Sequence, residues 1–242
     1  MHKRGVSIFS ITDHDTLAAY DGLTVPAPMT VVTGIEINTT YSANECHVLG
    51  YRLNDMASLA AMLERNRAAR RTRIGQIVDQ LQNAGCGLTL EQVVAESKGG
   101  EALGRPHVAK ALIRHGHVAD IETAFRNWLS RGKPGYVPST HITPHEAVDA
   151  VLAAGGIPVL AHPGRLHDYA LIDELAEHGL QGLEVFYPTH EPAQVQHFRD
   201  TATRLNLVMT GGSDFHDIRY HKRGVGMEIE PEDIRPFLNL VA

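Results

Sequence analysis

The sequence predicts an α/β protein, and three observations carry that prediction. Short apolar runs rich in β-branched residues alternate with helical patterns from residue 143 onward, which implies a mostly parallel sheet or a barrel. Most of those runs end in ionisable residues, as they do where chemistry gathers at the carboxyl ends of strands. Between residues 55 and 138 the rhythm breaks into consecutive helical patterns with no strand, which reads as an inserted domain. The expected division is therefore a barrel part, 1–54 and 139–242, and a helical insertion, 55–138.

Taken in order, residues 6–12 read as a strand that runs into Thr12-Asp13-His14-Asp15-Thr16. Residues 31–37 repeat the form and end around Glu36, and residues 46–51 form a third run with His47 near its start. Leu59, Met62, Leu63, Ile74, Ile77, Val78 and Leu81 recur at helical spacing before Gly85, and shorter helices follow at 90–96, 107–114 and 121–129. Thr143-Pro144-His145-Glu146 opens a helix with Thr as N-cap, Pro in the first turn and Glu closing a capping box, and Gly155-Gly156 stops it. A strand at 157–161 then runs into His162-Pro163, a helix at 169–178 ends at Gly179, and a strand at 182–187 carries Glu184. A helix at 192–205 precedes a strand at 207–210 that leads into Gly211-Gly212-Ser213-Asp214-Phe215-His216.

The 242 residues are 43% apolar and 21% charged, globular proportions that need neither disulfides nor a zinc clasp to hold a core. A net charge of −6 speaks against a broadly basic nucleic-acid coat. Cys46 and Cys86 form no CxxC pairing, which disfavours a disulfide framework or a thiolate zinc site and suits a reducing cytoplasm. No apolar run reaches the length of about 18 residues that a membrane helix needs, and Met1-His2-Lys3-Arg4-Gly5 leads into no signal-peptide core. No protein partner is implied. The outlier is histidine, 15 against 5 lysines, the side chain that serves both metal binding and proton transfer near neutral pH.

Each polar cluster has a plain explanation by itself. Asp13-His14-Asp15 suits a hydrogen-bonded loop, Glu36 a salt-bridged carboxylate, His47 a satisfied core histidine, and Ala161-His162-Pro163 a turn. Asp214-x-His216 is stronger, because a carboxylate and an imidazole two residues apart on an irregular loop can chelate together. Jointly, six such groups converging unpaired would cost stability, and a divalent cation removes that cost. Imidazole and carboxylate donors without thiolate favour Mn²⁺, Zn²⁺ or Fe²⁺, and more than four candidates suggest more than one ion. The arginine-rich run Glu64 to Arg73 reads mostly as a solvated helix face, able also to guide a short anionic strand.

Seven segments together resemble the PHP (polymerase and histidinol phosphatase) metal-dependent phosphoesterases. They are Thr12-Asp13-His14-Asp15-Thr16, Gly34-Ile35-Glu36-Ile37, Cys46-His47-Val48-Leu49-Gly50-Tyr51, Gly104-Arg105-Pro106-His107, Gly132-Lys133-Pro134-x-Tyr136-Val137-Pro138, Ala161-His162-Pro163-Gly164 and Gly212-Ser213-Asp214-Phe215-His216. The similarity is to the branch with a helical insertion that acts on nucleoside 3',5'-bisphosphates and short 5'-phosphorylated oligonucleotides. It implies a distorted (β/α)7 PHP barrel holding two or three divalent ions, Mn²⁺ first, with Zn²⁺ and Fe²⁺ as alternatives. Carried over by motif, His14, Glu36, His47, His162, Asp214 and His216 would be metal ligands, with Glu36 bridging two ions. The nucleophile would be a metal-activated hydroxide, and no catalytic side chain is assigned. Arg105 and Lys133, with His107 behind them, would reach substrate phosphates.

Members of that family begin with an Asp-Leu-His-x-His-Ser strand, a further acidic ligand and a helix, and none of these is in the sequence, so the barrel reads as N-terminally truncated by about thirty residues. His2 does not substitute for that motif. The expected function is thus metal-dependent hydrolysis of nucleotide phosphate esters. A histidinol-phosphate-type phosphatase and a catalytically impaired metal- or nucleotide-binding module are the alternatives.

Overall fold

The computed structural model describes residues 5–97, 102–139, 142–216 and 224–242, and His2 lies outside them. In chain order its elements are β1 (Ile8–Phe9), β2 (Thr30–Val31), β3 (Gly34–Tyr41), β4 (Asn44–Tyr51), α1 (Ala60–Asn83), α2 (Leu90–Ala95), α3 (Arg105–Arg114), α4 (Ile121–Ala124), α5 (Pro144–Ala153), β5 (Ile157–Leu160), α6 (Ala170–His178), β6 (Gly182–Phe186), α7 (Pro192–Arg204), β7 (Val208–Gly211) and α8 (Pro231–Val241). Two compact units result: Met1–Tyr41 with Glu45–Ala60 and Ile142–Ala242, and Ser42–Asn44 with Ala61–His141.

The first unit is mixed α/β. β1 and β2 pair in parallel, and β3 to β7 form one sheet in sequence order. α6 and α7 are the crossovers that let β5, β6 and β7 run parallel. α5 begins where its capping signal predicts: Thr143 Oγ1 accepts from the Glu146 N–H, and the Glu146 carboxylate accepts from the Thr143 N–H. Val32, Leu49, Tyr51, Ile157, Val159, Ala161 and Phe237 of α8 pack into one buried cluster. The helix α8 was not among the expected elements, although Pro231-Glu232-Asp233 is a first turn suited to the helix dipole.

Three strand expectations need correction. Only Ile8–Phe9 of residues 6–12 pairs, because the N–H and C=O of Ile11 bond to the Tyr20 hydroxyl, at 3.0 and 2.7 Å, instead of to a strand neighbour. Residues 31–37 are not one strand. The Val32 N–H bonds Phe9 O at 2.9 Å while Thr33 O accepts from the Arg52 N–H at 2.8 Å, so the chain changes partner there. Nor is the sheet mostly parallel, since β4 runs antiparallel to β5, from Val48 opposite Leu160 to Tyr51 opposite Ile157. The cause is a tight turn at Ser42 and Ala43, with φ of 47° and 62°, that folds β4 back along β3. Glu36 consequently sits inside a strand rather than at its carboxyl end. Among the described residues the two sheets do not close into a hydrogen-bonded barrel; a parallel bridge joins His14 to Glu36.

The second unit is helical around a core that includes Ile74, Ile77, Val78, Leu81, Leu88, Val93, Leu103, Val108, Leu112 and Leu129. Along α1 the apolar stripe pauses between Leu63 and Ile74, where Asn66, Arg70 and Arg73 continue the same buried face. This corrects the solvated-face expectation for the arginine run in part. Arg70 Nη1 donates to Leu103 O at 2.9 Å and Arg73 Nε to Val137 O at 3.0 Å, bonds that offset the cost of enclosing the guanidinium groups. Among the described residues no helix is long and apolar enough to cross a membrane.

Candidate metal centre

The site is assembled by a short parallel contact between residues 13–15 and β3. The Glu36 N–H bonds Asp13 O at 3.1 Å and the Asp15 N–H bonds Glu36 O at 2.9 Å, which sets His14 beside Glu36. Asp15, fully buried at φ 52°, accepts the Asn38 main-chain N–H at 3.0 Å and the Asn38 side-chain amide at 2.5 Å. That same Asn38 nitrogen lies 3.1 Å from His14 Nδ1 and fixes the ring from behind. Close approach explains Gly34, where a Cβ would stand 2.2 Å from Ser10 Oγ, and Tyr20 Oη accepts the Gly34 N–H at 2.8 Å.

Glu36 is the hub. One carboxylate oxygen, Oε1, lies 2.6 Å from His47 Nδ1 and 3.2 Å from His162 Nε2, and those two nitrogens are 3.2 Å apart. The other oxygen, Oε2, faces His14 Nε2 at 3.6 Å. Ring centroids are 5.0 Å apart for both His14–His47 and His47–His162, and 5.9 Å for His14–His216. Donor atoms sharing a tetrahedral ion through bonds of about 2.0–2.2 Å stand roughly 3.3–3.6 Å apart, near the 3.2 and 3.6 Å separations here and wider than the direct 2.6 Å contact of Glu36 with His47. His14, Glu36 and His47 each offer a ligand atom within 4.8 Å of the others, so the donor set fits a divalent cation. Burial alone would raise the Glu36 carboxyl, but the imidazoles of His14, His47 and His162 hold it well below the usual carboxylate range. Burial, assisted by His47 and Arg165, lowers His162 and keeps it neutral, as a ligand must be.

The remaining expected ligands, Asp214 and His216, line the same cavity but stand outside the group of ligand atoms formed by His14, Glu36 and His47. Asp214 Oδ1 is 3.3 Å from His216 Nδ1, while Asp214 Oδ2 accepts from the Tyr187 hydroxyl at 2.6 Å and lies 3.7 Å from Arg165 Nη1. The Tyr187 ring is 5.4 Å from that of His162 and carries the Arg165 guanidinium over its face at 5.0 Å. His162 and Asp214 both hold positive φ, 29° and 46°, in the left-handed region that non-glycine residues seldom occupy. The buried Glu184 carboxylate stabilises the first of these by accepting the His162 N–H at 2.8 Å. Burial pushes the Glu184 carboxyl up to about 8, with Glu36 and Asp214 adding to the effect. A Cβ at Gly212 would stand 2.7 Å from Glu184 Oε1, so glycine is what lets the Asp214 loop pass. A cavity of about 1120 Å³ opens from Glu36, His162, Asp214 and His216 towards an apolar floor of Val32, Tyr51 and Phe237.

Arg105, His107 and Lys133 belong to the helical unit. Arg105 opens α3 and its guanidinium lies 5.8 Å over the Phe125 ring. His107 Nδ1 accepts the Gly104 N–H at 3.1 Å, so this imidazole caps the helix it stands on. Lys133 is exposed in the turn between Ser130 and Tyr136. Arg70 and Arg73 anchor the carbonyls of Leu103, which precedes the Gly104 motif, and of Val137, which lies within the Lys133 motif.

Sequence reasoning passed over four residues that the structure adds to the cluster: Asp13, Arg165, Glu184 and Tyr187. Asp13 is raised by burial and lies within electrostatic reach of His216 and Glu36. Glu184 left a signal, a lone carboxylate in the otherwise apolar run Gly182 to Phe186. Arg165 and Tyr187 left none, because their relevance arises from contacts across the chain.

No family model matches this chain. It is 31% identical to the 3',5'-nucleoside bisphosphate phosphatase of Chromobacterium violaceum, over 96% of this chain and 84% of that protein. It is also 31% identical to the 5'-3' exoribonuclease Rnm of Escherichia coli, over 87% of this chain and 75% of that protein. A phosphoribosyl 1,2-cyclic phosphate 1,2-diphosphodiesterase of Eggerthella lenta is 32% identical, over 88% of this chain and 84% of that protein. Among solved structures, a Bifidobacterium adolescentis protein, provisionally assigned as a metal-dependent phosphoesterase, superimposes with a TM-score of 0.88 at 31% identity, over 98% of this chain and 87% of that one.

Proposed function

Because the chain belongs to the metal-dependent phosphoesterase family that includes nucleoside bisphosphate phosphatases and 5'-3' exoribonucleases, we propose that it hydrolyses phosphate esters of 3',5'-bisphosphonucleotides or short 5'-phosphorylated oligonucleotides. The observation that carries this reading is the convergence of His47 Nδ1 and His162 Nε2 on one oxygen of the buried Glu36, with His14 at the other oxygen.

His14, Glu36, His47, His162, Asp214 and His216 would hold two or three ions, Mn²⁺ in the first instance, with Glu36 bridging. Bound there, such ions supply Lewis acidity towards a phosphoryl oxygen and acidify a water near neutral pH. The chain's own residues set the geometry. Asn38 fixes the His14 ring, Glu184 fixes the His162 backbone, and Tyr187 directs Asp214 by taking its Oδ2, which leaves Oδ1 beside His216. Arg105 and Lys133 are assigned to substrate phosphates, a fork and a point charge respectively. His107 is the weaker candidate, because its Nδ1 already serves the Gly104 cap. The seven strands would form the wall of a distorted PHP barrel, with residues 55–138 as its substrate-recognising insertion. A cytoplasmic setting goes with this reading and is supported by two buried cysteines that form no disulfide.

The test is phosphate release with Mn²⁺ from adenosine 3',5'-bisphosphate and from a 5'-phosphorylated trinucleotide, with a phosphoribosyl 1,2-cyclic phosphate as the competing diester. Turnover of either of the first two, abolished in His162→Ala, supports the proposal. Arg105→Ala should raise KM with a loss of about 1.5 to 3 kcal/mol of binding. No release with Mn²⁺, Zn²⁺ or Fe²⁺, or release from the cyclic diester alone, overturns the substrate assignment.

A further inference from the structure

Arg165 is placed differently from Arg199, Arg204 and Arg235 of the same unit, which donate to the carboxylates of Asp233, Asp173 and Glu232 respectively. Among the described residues its guanidinium makes no hydrogen bond. It lies over the Tyr187 ring at 5.0 Å, and its Nη1 stands 3.7 Å from Asp214 Oδ2, an oxygen that already accepts from the Tyr187 hydroxyl at 2.6 Å. The backbone that carries it is fixed. Arg165 closes the short turn Pro163–Arg165 that directly follows His162, where the Arg165 N–H donates to His162 O at 3.0 Å and the Gly164 N–H to His190 Nε2 at 3.1 Å. His190 Nδ1 donates in its turn to Val185 O of β6 at 2.9 Å, and a Cβ at Gly164 would stand 2.7 Å from the same ring, so the turn is seated on that imidazole. An anchored turn thus presents an exposed guanidinium, 54% accessible, beside the expected ligand Asp214.

We propose that Arg165 is a catalytic residue that donates to a non-bridging oxygen of the phosphoryl group being hydrolysed. The assignment rests on the phosphoesterase reading above and adds to it a substrate contact from the first unit. A guanidinium lying on an aromatic face keeps its N–H groups at the edge, directed past the ring. Asp214 does not consume them, since 3.7 Å is beyond hydrogen-bonding distance and its Oδ2 is engaged by Tyr187. A phosphoryl group offers anionic acceptors in the geometry that a guanidinium fork matches. In hydrolysis the ester P–O bond breaks, a bond from phosphorus to the water oxygen forms, and a proton of that water ends on the departing oxygen. Charge spread over the non-bridging oxygens during this change is held by positive groups fixed beforehand. Arg165 gives up no proton, because a guanidinium stays charged, so its contribution is charge and position. With the turn already anchored on His190, binding orders one side chain and no backbone.

The test separates gripping phosphate from merely holding Asp214. The full chain, loaded with Mn²⁺, is titrated calorimetrically with inorganic phosphate as wild type, Arg165→Ala and Arg165→Lys, and bound manganese per chain is counted in each. The expected result is unchanged manganese, phosphate binding at least about tenfold weaker in Arg165→Ala, and a smaller loss in Arg165→Lys, which keeps the charge without the fork. With adenosine 3',5'-bisphosphate, kcat of Arg165→Ala should fall by about 10² to 10³. Added guanidinium ion should restore part of that loss, which a structural role for the side chain would not produce. Arg165→Lys carries the test if Arg165→Ala does not fold. Unchanged phosphate affinity in the folded variants overturns the proposal, and so does a loss of manganese in step with phosphate, because Arg165 would then act by holding Asp214. Phosphate binding that depends on Arg165, in a wild type that releases phosphate from no ester, would overturn the substrate reading and support the Arg165 contact.

Discussion

Replacing Glu36 by glutamine tests the proposed metal centre by removing its hub while keeping its shape. The side chain is 7% exposed, and its two oxygens face three imidazole nitrogens at 2.6, 3.2 and 3.6 Å. A glutamine presents one acceptor and one donor, so one of those two directions turns from attractive to repulsive, and the charge that balances a cation is lost. Breaking one partner out of a buried charged set costs roughly 3 to 5 kcal/mol. At 1.4 kcal/mol per decade, that is about two to three and a half orders of magnitude in metal affinity. The assay is Mn²⁺ titration of chelator-stripped protein, followed by phosphate release at saturating substrate, with melting of the metal-free protein as the fold control. Wild-type metal affinity in a folded Glu36→Gln protein would refute the bridging role proposed for Glu36.

Further outcomes follow from the supporting contacts. Asp15→Ala leaves two Asn38 donors without their buried acceptor, a loss of about 1 to 3 kcal/mol that should lower the melting midpoint and, by loosening His14, weaken metal retention. Burial, reinforced by Lys110 and Arg70, lowers the His107 imidazole from its ordinary value. A group with a depressed folded pKa binds fewer protons when native, so its contribution is complete above about pH 6.5 and is lost as pH falls through the folded value. Urea midpoints should fall over that window in wild type, and the fall should be shallower in His107→Gln. Arg73→Ala strands the Val137 carbonyl inside the helical unit, and amide exchange at residues 133–138 should rise, with a stability loss of about 1 to 3 kcal/mol. Unchanged exchange there would show that Arg73 does not hold that segment.

The sequence by itself determined the features that depend on near neighbours. The capping box at Thr143 to Glu146 and the stop at Gly179 are local, and α5 and α6 begin and end within a residue or two of where these signals put them. The stripe from Leu59 to Leu81 is also local, since 3.6-residue periodicity selects a face without reference to what covers it, and all seven of its residues are buried. What only the tertiary structure decided depends on partners far along the chain. Residues 31–37 look like one strand in isolation, but they divide because Val32 bonds to Phe9 and Thr33 to Arg52. Arg70 and Arg73 look solvated until Leu103 and Val137, more than thirty residues away, provide carbonyls for them. At the candidate metal centre, six side chains were marked by residue type together with the motifs they stand in. That His47 and His162 share one oxygen of Glu36 follows from the hairpin folding β4 back along β3 and from β5 pairing with β4. Glu184 entered the site for the same reason, because its use is to hold the backbone of a residue 22 positions earlier. Periodicity and capping act within one or two turns of chain, whereas a shared donor atom is set by the register of strands that meet only once the core has closed.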